Sequence, residues 1–528
     1  MVLILFAACL CAASLPLFVT DTPPLFDYPN HLARVDAIRR FGESALIQAN
    51  FRLGDFLLPN VLSDLLLLAG MAIWEPRDAG RVLLLLTFAL TLGGLLVLSR
   101  VVAGRWSPWP LLASVFLTNE MFFWGFLNYN LGLAILPWAL AAAVALDGKP
   151  AWRRVSVGAA FAVLIFLAHL VAFGLYAVAV AALELAHAWR NRQESFEAVC
   201  RRAAITAVQF VPALLLYWGL SAANDLPLDL RFNFDAWSKW APYSRVLSSG
   251  NAGMDTPVLV AALLIAAIGL LTGRAGFSGR LVLVALAFAV LVRILPYAAK
   301  GSFFVDSRIV IAVAFVLTAS LVPFRMGRAG IAAFGLAILA LTGIRATVLA
   351  EDWRAQGRAI GKVLAAFDRL PEGALLVPAS GRWFELGDWR TTRWTKPAHE
   401  HTAAYAMIDH DVIVPSLFAR PGQNPLEYAP PTPVMGSLGR SPIFRVMNEA
   451  DFGFFTAEVR AVANENASLD QPFSGVFAIL FYRPCEDWPD DLDVRPVACG
   501  PDFSLVEIPP EPPAAASDED TAPTGASQ

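Results

Sequence analysis

The chain has 528 residues and a formal net charge of −4, with 57% hydrophobic and only 16% charged residues. Its mean hydropathy is +0.56. Soluble domains carry about 25% charged and about 45–50% apolar residues, so the composition excludes an ordinary soluble enzyme and points to lipid. The near-neutral balance gives no bulk basic surface for a nucleic-acid partner.

A helix needs about 20 apolar residues to cross roughly 30 Å of hydrocarbon, with every backbone group paired inside it. The first such stretch, 1–19, lacks a positive n-region. Ala12, Ala13 and Ser14 loosely resemble a cleavage site, but the segment reads as an uncleaved first span. Further candidate spans lie near 82–100, 108–124, 128–147, 154–168, 170–188, 203–221, 257–273, 280–298, 308–323 and 329–348, about eleven in all. The 154–188 stretch reads as two short helices meeting near His169, and 55–75 as a half-buried helix.

The positive-inside rule orients these spans. Arg100 and Arg105; Lys149, Arg153 and Arg154; Arg190, Arg192, Arg201 and Arg202; Arg274 and Arg280; and Arg325 and Arg328 would all be cytoplasmic. The N-terminus is then inside and the C-terminal region outside, as in a multi-pass protein of a bacterial inner membrane.

From residue 351 the chain becomes mixed. Residues 353–369 read as an amphipathic helix leaving the membrane, and 374–378, 411–415 and 476–482 as β-rich runs. The sequence therefore predicts a polytopic α-helical membrane part over 1–350. A small α/β or α+β periplasmic domain over 351–510 and a disordered tail over 511–528 follow. Cys485 and Cys499 are close in a polar stretch. In an oxidising compartment they read as a disulfide, the alternative being two unrelated buried thiols.

The most informative segment is the first outer loop, 20–55, which gathers Asp27, His31 and Arg34 just after a span. The helical spacing of His31, Arg34, Ile38 and Phe41 predicts a polar helix lying on the membrane face, with Asp27 before its N-terminus. Asp27 could cap that helix. It could equally serve as a general base, accepting a proton from an attacking hydroxyl. Arg293 sits within an apolar run, and Lys300, Asp306 and Arg308 share one short loop. Arginine binds phosphate bidentately, which makes Arg293 and Arg308 candidates for a phosphate leaving group. Alternatively, Asp306 and Arg308 pair with each other and Arg293 snorkels to the interface. His169, Asn128, Tyr129 and Asn130 fall on the same outer face, as sugar contacts or as helix-end structure.

His399, Glu400, His401, Asp409, His410 and Asp411 invite a metal reading. The His-Glu-His spacing is not a helix-face ligand pair, and no zinc signature is present. There is no nucleotide-type glycine-rich loop and no Gly-x-Ser-x-Gly nucleophile motif.

This arrangement resembles the GT-C superfamily of integral-membrane glycosyltransferases, which use polyprenyl-phosphate sugars. The resemblance rests on an acid after span one in a large outer loop, here Asp27, and on Leu58-Pro59-Asn60 opening a half-buried helix. It rests also on the segment Glu75-Pro76-Arg77-Asp78-Ala79-Gly80-Arg81 before span two, on the helix pair meeting at His169, and on a domain after the last span. The segment 27–34 and the run Phe123-Trp124-Gly125-Phe126-Leu127-Asn128-Tyr129-Asn130-Leu131-Gly132 also look like uncharacterised bacterial members. Many members have two adjacent acids in this loop; here Tyr28 follows Asp27.

The resemblance implies an inverting transferase with Asp27 as catalytic base. His31, Arg34, Asn128, Asn130, His169, Arg293, Lys300, Asp306 and Arg308 would be its substrate contacts. Its partners would be a polyprenyl-phosphate sugar donor, a glycan or lipid acceptor, and membrane lipid. The residues name no definite cofactor, a divalent cation being the one candidate, and leave open whether it is needed. The other readings are a flippase for a lipid-linked intermediate and a non-catalytic envelope protein. Against the flippase, the chain shows no two-half symmetry.

Overall fold

A segment surrounded by lipid must satisfy its own backbone, and most of residues 1–367 do so as helix. The computed structural model describes residues 1–219, 228–233, 236–299, 302–381, 400–429, 444–467 and 472–511. In chain order the helices are α1 (Val2–Ser14), α2 (Tyr28–Arg39), α3 (Ala45–Asn50), α4 (Leu62–Met71), α5 (Pro76–Ala103), α6 (Glu120–Phe123), α7 (Leu127–Ala145), α8 (Ala151–Ala168) and α9 (Leu170–Arg190). Next come α10 (Phe196–Ala207), α11 (Val211–Gly219), α12 (Ala236–Ser244), α13 (Ala252–Leu271), α14 (Gly279–Ile294), α15 (Ile309–Ser320) and α16 (Arg328–Phe367).

Seven helical stretches among the described residues have the length and apolarity of a membrane crossing: α5, α7, α8, α9, the α10–α11 stretch, α13 and α16. The chain is a multi-pass membrane protein. The first span expected from sequence and that near 308–323 are shorter apolar helices, as is the half-buried helix expected at 55–75, and 280–298 is the 16-residue α14.

Residues 108–124 form no single α-helix. They make a 3-10 helix, Trp109–Phe116, followed by the four-residue α6. All of 107–125 is buried. Its apolar composition therefore serves protein packing rather than lipid contact, an ambiguity inherent in short apolar runs.

The expected span at 329–348 and the amphipathic helix at 353–369 are one helix, α16, of 40 residues. At 1.5 Å per residue it is about 60 Å long, twice the hydrocarbon thickness.

The C-terminal part is a mixed sheet flanked by helices. Its strands are β4 (Leu375–Ser380), β6 (Phe444–Arg445), β7 (Val476–Phe481), β8 (Arg495–Gly500) and β9 (Phe503–Glu507), in the order β6-β4-β7-β9-β8. β4 pairs in parallel with β6 and β7, and β9 runs antiparallel to β7 and β8. The run 411–415 contributes only a bridge from Ile413 to Leu375. Cys485 and Cys499 form a disulfide with Cα atoms 5.5 Å apart. The tail beyond residue 511 lies outside the described residues.

The first loop joins the two parts. Strand β1 (Phe51–Leu53) pairs antiparallel with β5 (Leu426–Tyr428), and within the bundle β2 (Ala275–Phe277) pairs antiparallel with β3 (Leu321–Pro323). Helix α2 does not lie on a membrane face, because every residue from Tyr28 to Ile38 is buried. Tyr28, Leu32 and Val35 enter the core of the helical bundle. Ala33, Ala37 and Ile38 enter the core built around the C-terminal sheet. Two apolar faces on one short helix hide the single-sided pattern that an interfacial helix would show.

Candidate active site

Asp27 is placed by a short strap of irregular backbone. The Phe26 N–H donates to the Phe123 carbonyl at 3.0 Å and the Asp27 N–H to the Trp124 carbonyl at 3.1 Å. The strap needs Gly125, whose φ is +75° and whose Cβ, if present, would sit 2.7 Å from the Asp27 nitrogen. Left-handed backbone alone costs an L-residue about 1–2 kcal/mol, and here the clash is with main chain. Gly125→Ala is therefore expected to displace Asp27. The variant should lose activity and unfold at lower temperature, which a thermal melt of the purified protein checks.

Asp27 is the N-cap residue of α2, yet its side chain makes no capping bond, and Pro29 removes one of the N–H donors a cap would use. The carboxylate, 15% exposed, instead faces a cavity of about 610 Å³. Its one described polar contact is His401 Nε2 at 3.5 Å. Burial raises its pKa to about 7, against the opposing pull of Arg308 and then Arg34.

His401 comes from the C-terminal part. Asn30 Nδ2 lies 2.6 Å from its Nδ1. The same amide group faces the Ser416 carbonyl, so Nδ2 donates and Nδ1 accepts. The ring proton then sits on Nε2, toward Asp27. Burial, helped by Arg445, lowers the His401 pKa to about 3, so the ring is neutral at ordinary pH.

Arg308, in the loop ahead of α15, lines the same cavity. Its guanidinium lies 4.1 Å from the Phe126 ring centroid, and Nη1 lies 2.9 Å from His169 Nε2. His169 N-caps α9 through Nδ1, which accepts from the Val171 N–H at 3.0 Å. One ring nitrogen of a neutral imidazole carries the proton, so His169 can accept from Val171 or from Arg308, not both. Arg308 Nε is buried without a hydrogen-bond partner among the described residues.

Arg34 also lines the cavity. It is paired with buried Asp64, Nη2 to Oδ1 at 2.7 Å and Nε to Oδ2 at 3.1 Å. Arg34 Nη2 donates to His31 Nδ1 at 3.0 Å, while Nη1 has no hydrogen-bond partner. Asn60 Oδ1, another buried atom without one, belongs to a cavity-lining residue whose φ is +74°. Buried polar atoms left unpaired usually mark a ligand, ion or water position.

Of the residues proposed from sequence, Asp27, His31, Arg34, Asn128, His169 and Arg308 meet at this cavity. Asn128 does so while its Oδ1 accepts from the Ser63 N–H. Three do not join them. Asn130 Nδ2 donates to the Met121 and Phe126 carbonyls. Arg293 stacks its guanidinium 5.0 Å from the Trp240 ring centroid, away from the cavity lining. Asp306 is neutralised not by Arg308 but by buried Lys239, at 2.5 Å. Lys300 lies outside the described residues, as does His399.

The residues present do not suit a divalent cation. Asp27 has one neutral imidazole beside it, and the next side chain, Tyr28, packs so closely on α5 that a Cβ on Gly80 would collide with its hydroxyl. Among the described residues no group of three or more His, Cys, Asp or Glu side chains could hold a metal.

Fold and cavity together define a membrane-embedded helical bundle capped by an α/β unit, with one carboxylate and three arginines, Arg34, Arg308 and Arg420, around a space between them. No family model matches the sequence, and no curated protein matches it. The fold is similar to that of ArnT from Cupriavidus metallidurans, a GT-C glycosyltransferase, in its apo crystal structure. The TM-score is 0.50 at 13% identity, over 96% of this chain and 97% of that one. The crystal structure of ArnT bound to undecaprenyl phosphate aligns over the same shares at 13% identity with a TM-score of 0.48. At this identity the likeness is one of fold.

Proposed function

We propose that the chain transfers a sugar from a polyprenyl-phosphate donor to a glycan or lipid acceptor in the Asp27 cavity, on the periplasmic side of a bacterial inner membrane. The carrying observation is the Asp27 carboxylate. It caps no helix and, among the described residues, lacks an arginine partner in hydrogen-bond contact, yet it faces a cavity that also holds the Arg308 guanidinium. The GT-C-like fold agrees with this reading.

In the reaction the acceptor oxygen attacks the anomeric carbon while Asp27 takes its proton. The bond to the phosphate oxygen breaks with inversion, and the phosphate leaves carrying the bonding electrons. Arg308, with its unpaired Nε, stabilises charge developing on that phosphate. Arg34 Nη1 offers a second unused donor. His401 Nε2–H orients the carboxylate and, being neutral, does not quench its basicity.

Mass spectrometry of envelope glycans tests this. A strain lacking the gene should lose one glycan modification, and Asp27→Asn should fail to restore it where wild type succeeds. An unchanged glycan profile in the deletion would favour a non-catalytic protein. Restoration by Asp27→Asn would move the base elsewhere.

A further inference from the structure

A second cationic site lies at the opposite end of the bundle. Asn128, in the first turn of α7, lines the Asp27 cavity, while Asp147 follows the other end of that 19-residue helix, about 28 Å away. His169 at the α8–α9 junction likewise belongs to the first cavity, and Arg154 and Arg190 occupy the far ends of those two helices.

At this end four guanidiniums share two carboxylates. Glu184 takes Arg202 Nε at 2.6 Å and Arg154 Nη2 at 3.4 Å. Asp147 takes Arg202 Nη2 at 3.0 Å, Arg190 Nη2 at 3.5 Å and Arg280 Nη1 at 3.6 Å. Arg190 and Arg280 thus have the longest contacts, and they are also the most exposed of the four, at 40% and 30%. His187 bridges Asp147 and Glu194 at 3.2 and 3.6 Å, so the cluster sets four guanidiniums against three carboxylates and keeps a net positive charge.

A groove of about 1010 Å³ opens from these two arginines between α5, α9 and α14. Its walls are apolar, with Leu185, Trp189 and Leu286 on the lipid-exposed surface of the bundle. The combination is a cationic head site with an apolar trough beside it. Basic pockets between membrane helices take anionic lipid headgroups.

We propose that this groove binds an anionic phospholipid, its phosphate held by Arg190 and Arg280 and its acyl chains lying between α9 and α14. Charge selects the occupant. A zwitterionic lipid brings its own cation and leaves the excess uncompensated, and free phosphate leaves the apolar walls uncovered. The site is independent of the transfer reaction.

Native mass spectrometry of the purified full chain in detergent, titrated with phosphatidylglycerol or phosphatidylcholine, tests the proposal. Phosphatidylglycerol should remain bound where phosphatidylcholine is lost. Arg190→Gln with Arg280→Gln should weaken phosphatidylglycerol binding by about tenfold or more. Asp147→Asn, which removes the competing carboxylate, should strengthen it. These opposite signs separate a binding role from a structural one, since mere damage to the bundle would weaken binding in both variants. Equal retention of the two lipids, weakening in Asp147→Asn, or displacement of phosphatidylglycerol by inorganic phosphate would overturn the proposal.

Discussion

Asp27→Asn is expected to lower the transfer rate by about 10²–10⁴-fold, the usual contribution of a positioned general base, with the fold retained. The wild-type rate should climb as pH rises through about 7, where burial places the ionisation of this carboxylate, and level off above it. The stability consequence has the opposite sense. The folded pKa lies above the unfolded value of 3.8, so the protonated carboxyl favours the fold. That contribution is complete below the unfolded value and is lost as pH rises through the folded one. The amide variant does not ionise. It should therefore melt above wild type at pH 8, with the difference vanishing near pH 4. Rate against pH, and melting temperature against pH, measured on both proteins, check the two halves separately.

Arg308→Gln should cost about 10²–10³-fold, the scale of one preorganised group facing developing charge. It should also move the midpoint of the pH profile upward, because Arg308 is the strongest electrostatic influence holding Asp27 in its ionised form. A residue acting only through packing would lower the rate without moving the midpoint. Arg308→Lys should recover part of the rate and most of the midpoint, since lysine restores the charge but not the planar fork.

How much of this was written in the sequence follows from distance along the chain. Asp27, His31 and Arg34 were legible because they share one helix and its first turn. The missing cap could not be read, since it depends on where the carboxylate turns rather than on residue type. His401 was visible only as part of a histidine-rich run that fits no metal spacing. Its partner Asn30 is 371 positions away, and no local pattern signals that pairing. Arg293 and Arg308 looked equivalent as arginines near the outer ends of spans. What separates them is the neighbour each meets, Trp240 for one and His169 for the other. Lys239, the partner of Asp306, stands 67 positions away, beyond any local pattern. Long apolar helices such as α5 and α9 were readable from length alone. The buried 107–125 segment was not, because burial in protein and burial in lipid select the same side chains.

In the proposed reaction Arg308 holds the donor phosphate and Asp27 takes the acceptor proton in the same cavity, and binding of polyprenyl phosphate separates the two roles. Purified wild-type protein should bind polyprenyl phosphate saturably. Arg308→Gln should bind it about tenfold or more weakly, by loss of a charge-assisted contact. Asp27→Asn should bind it as tightly as wild type or tighter, because a carboxylate near the phosphate has been removed. Equal affinity in wild type and Arg308→Gln, or weaker binding in Asp27→Asn alone, would contradict the account.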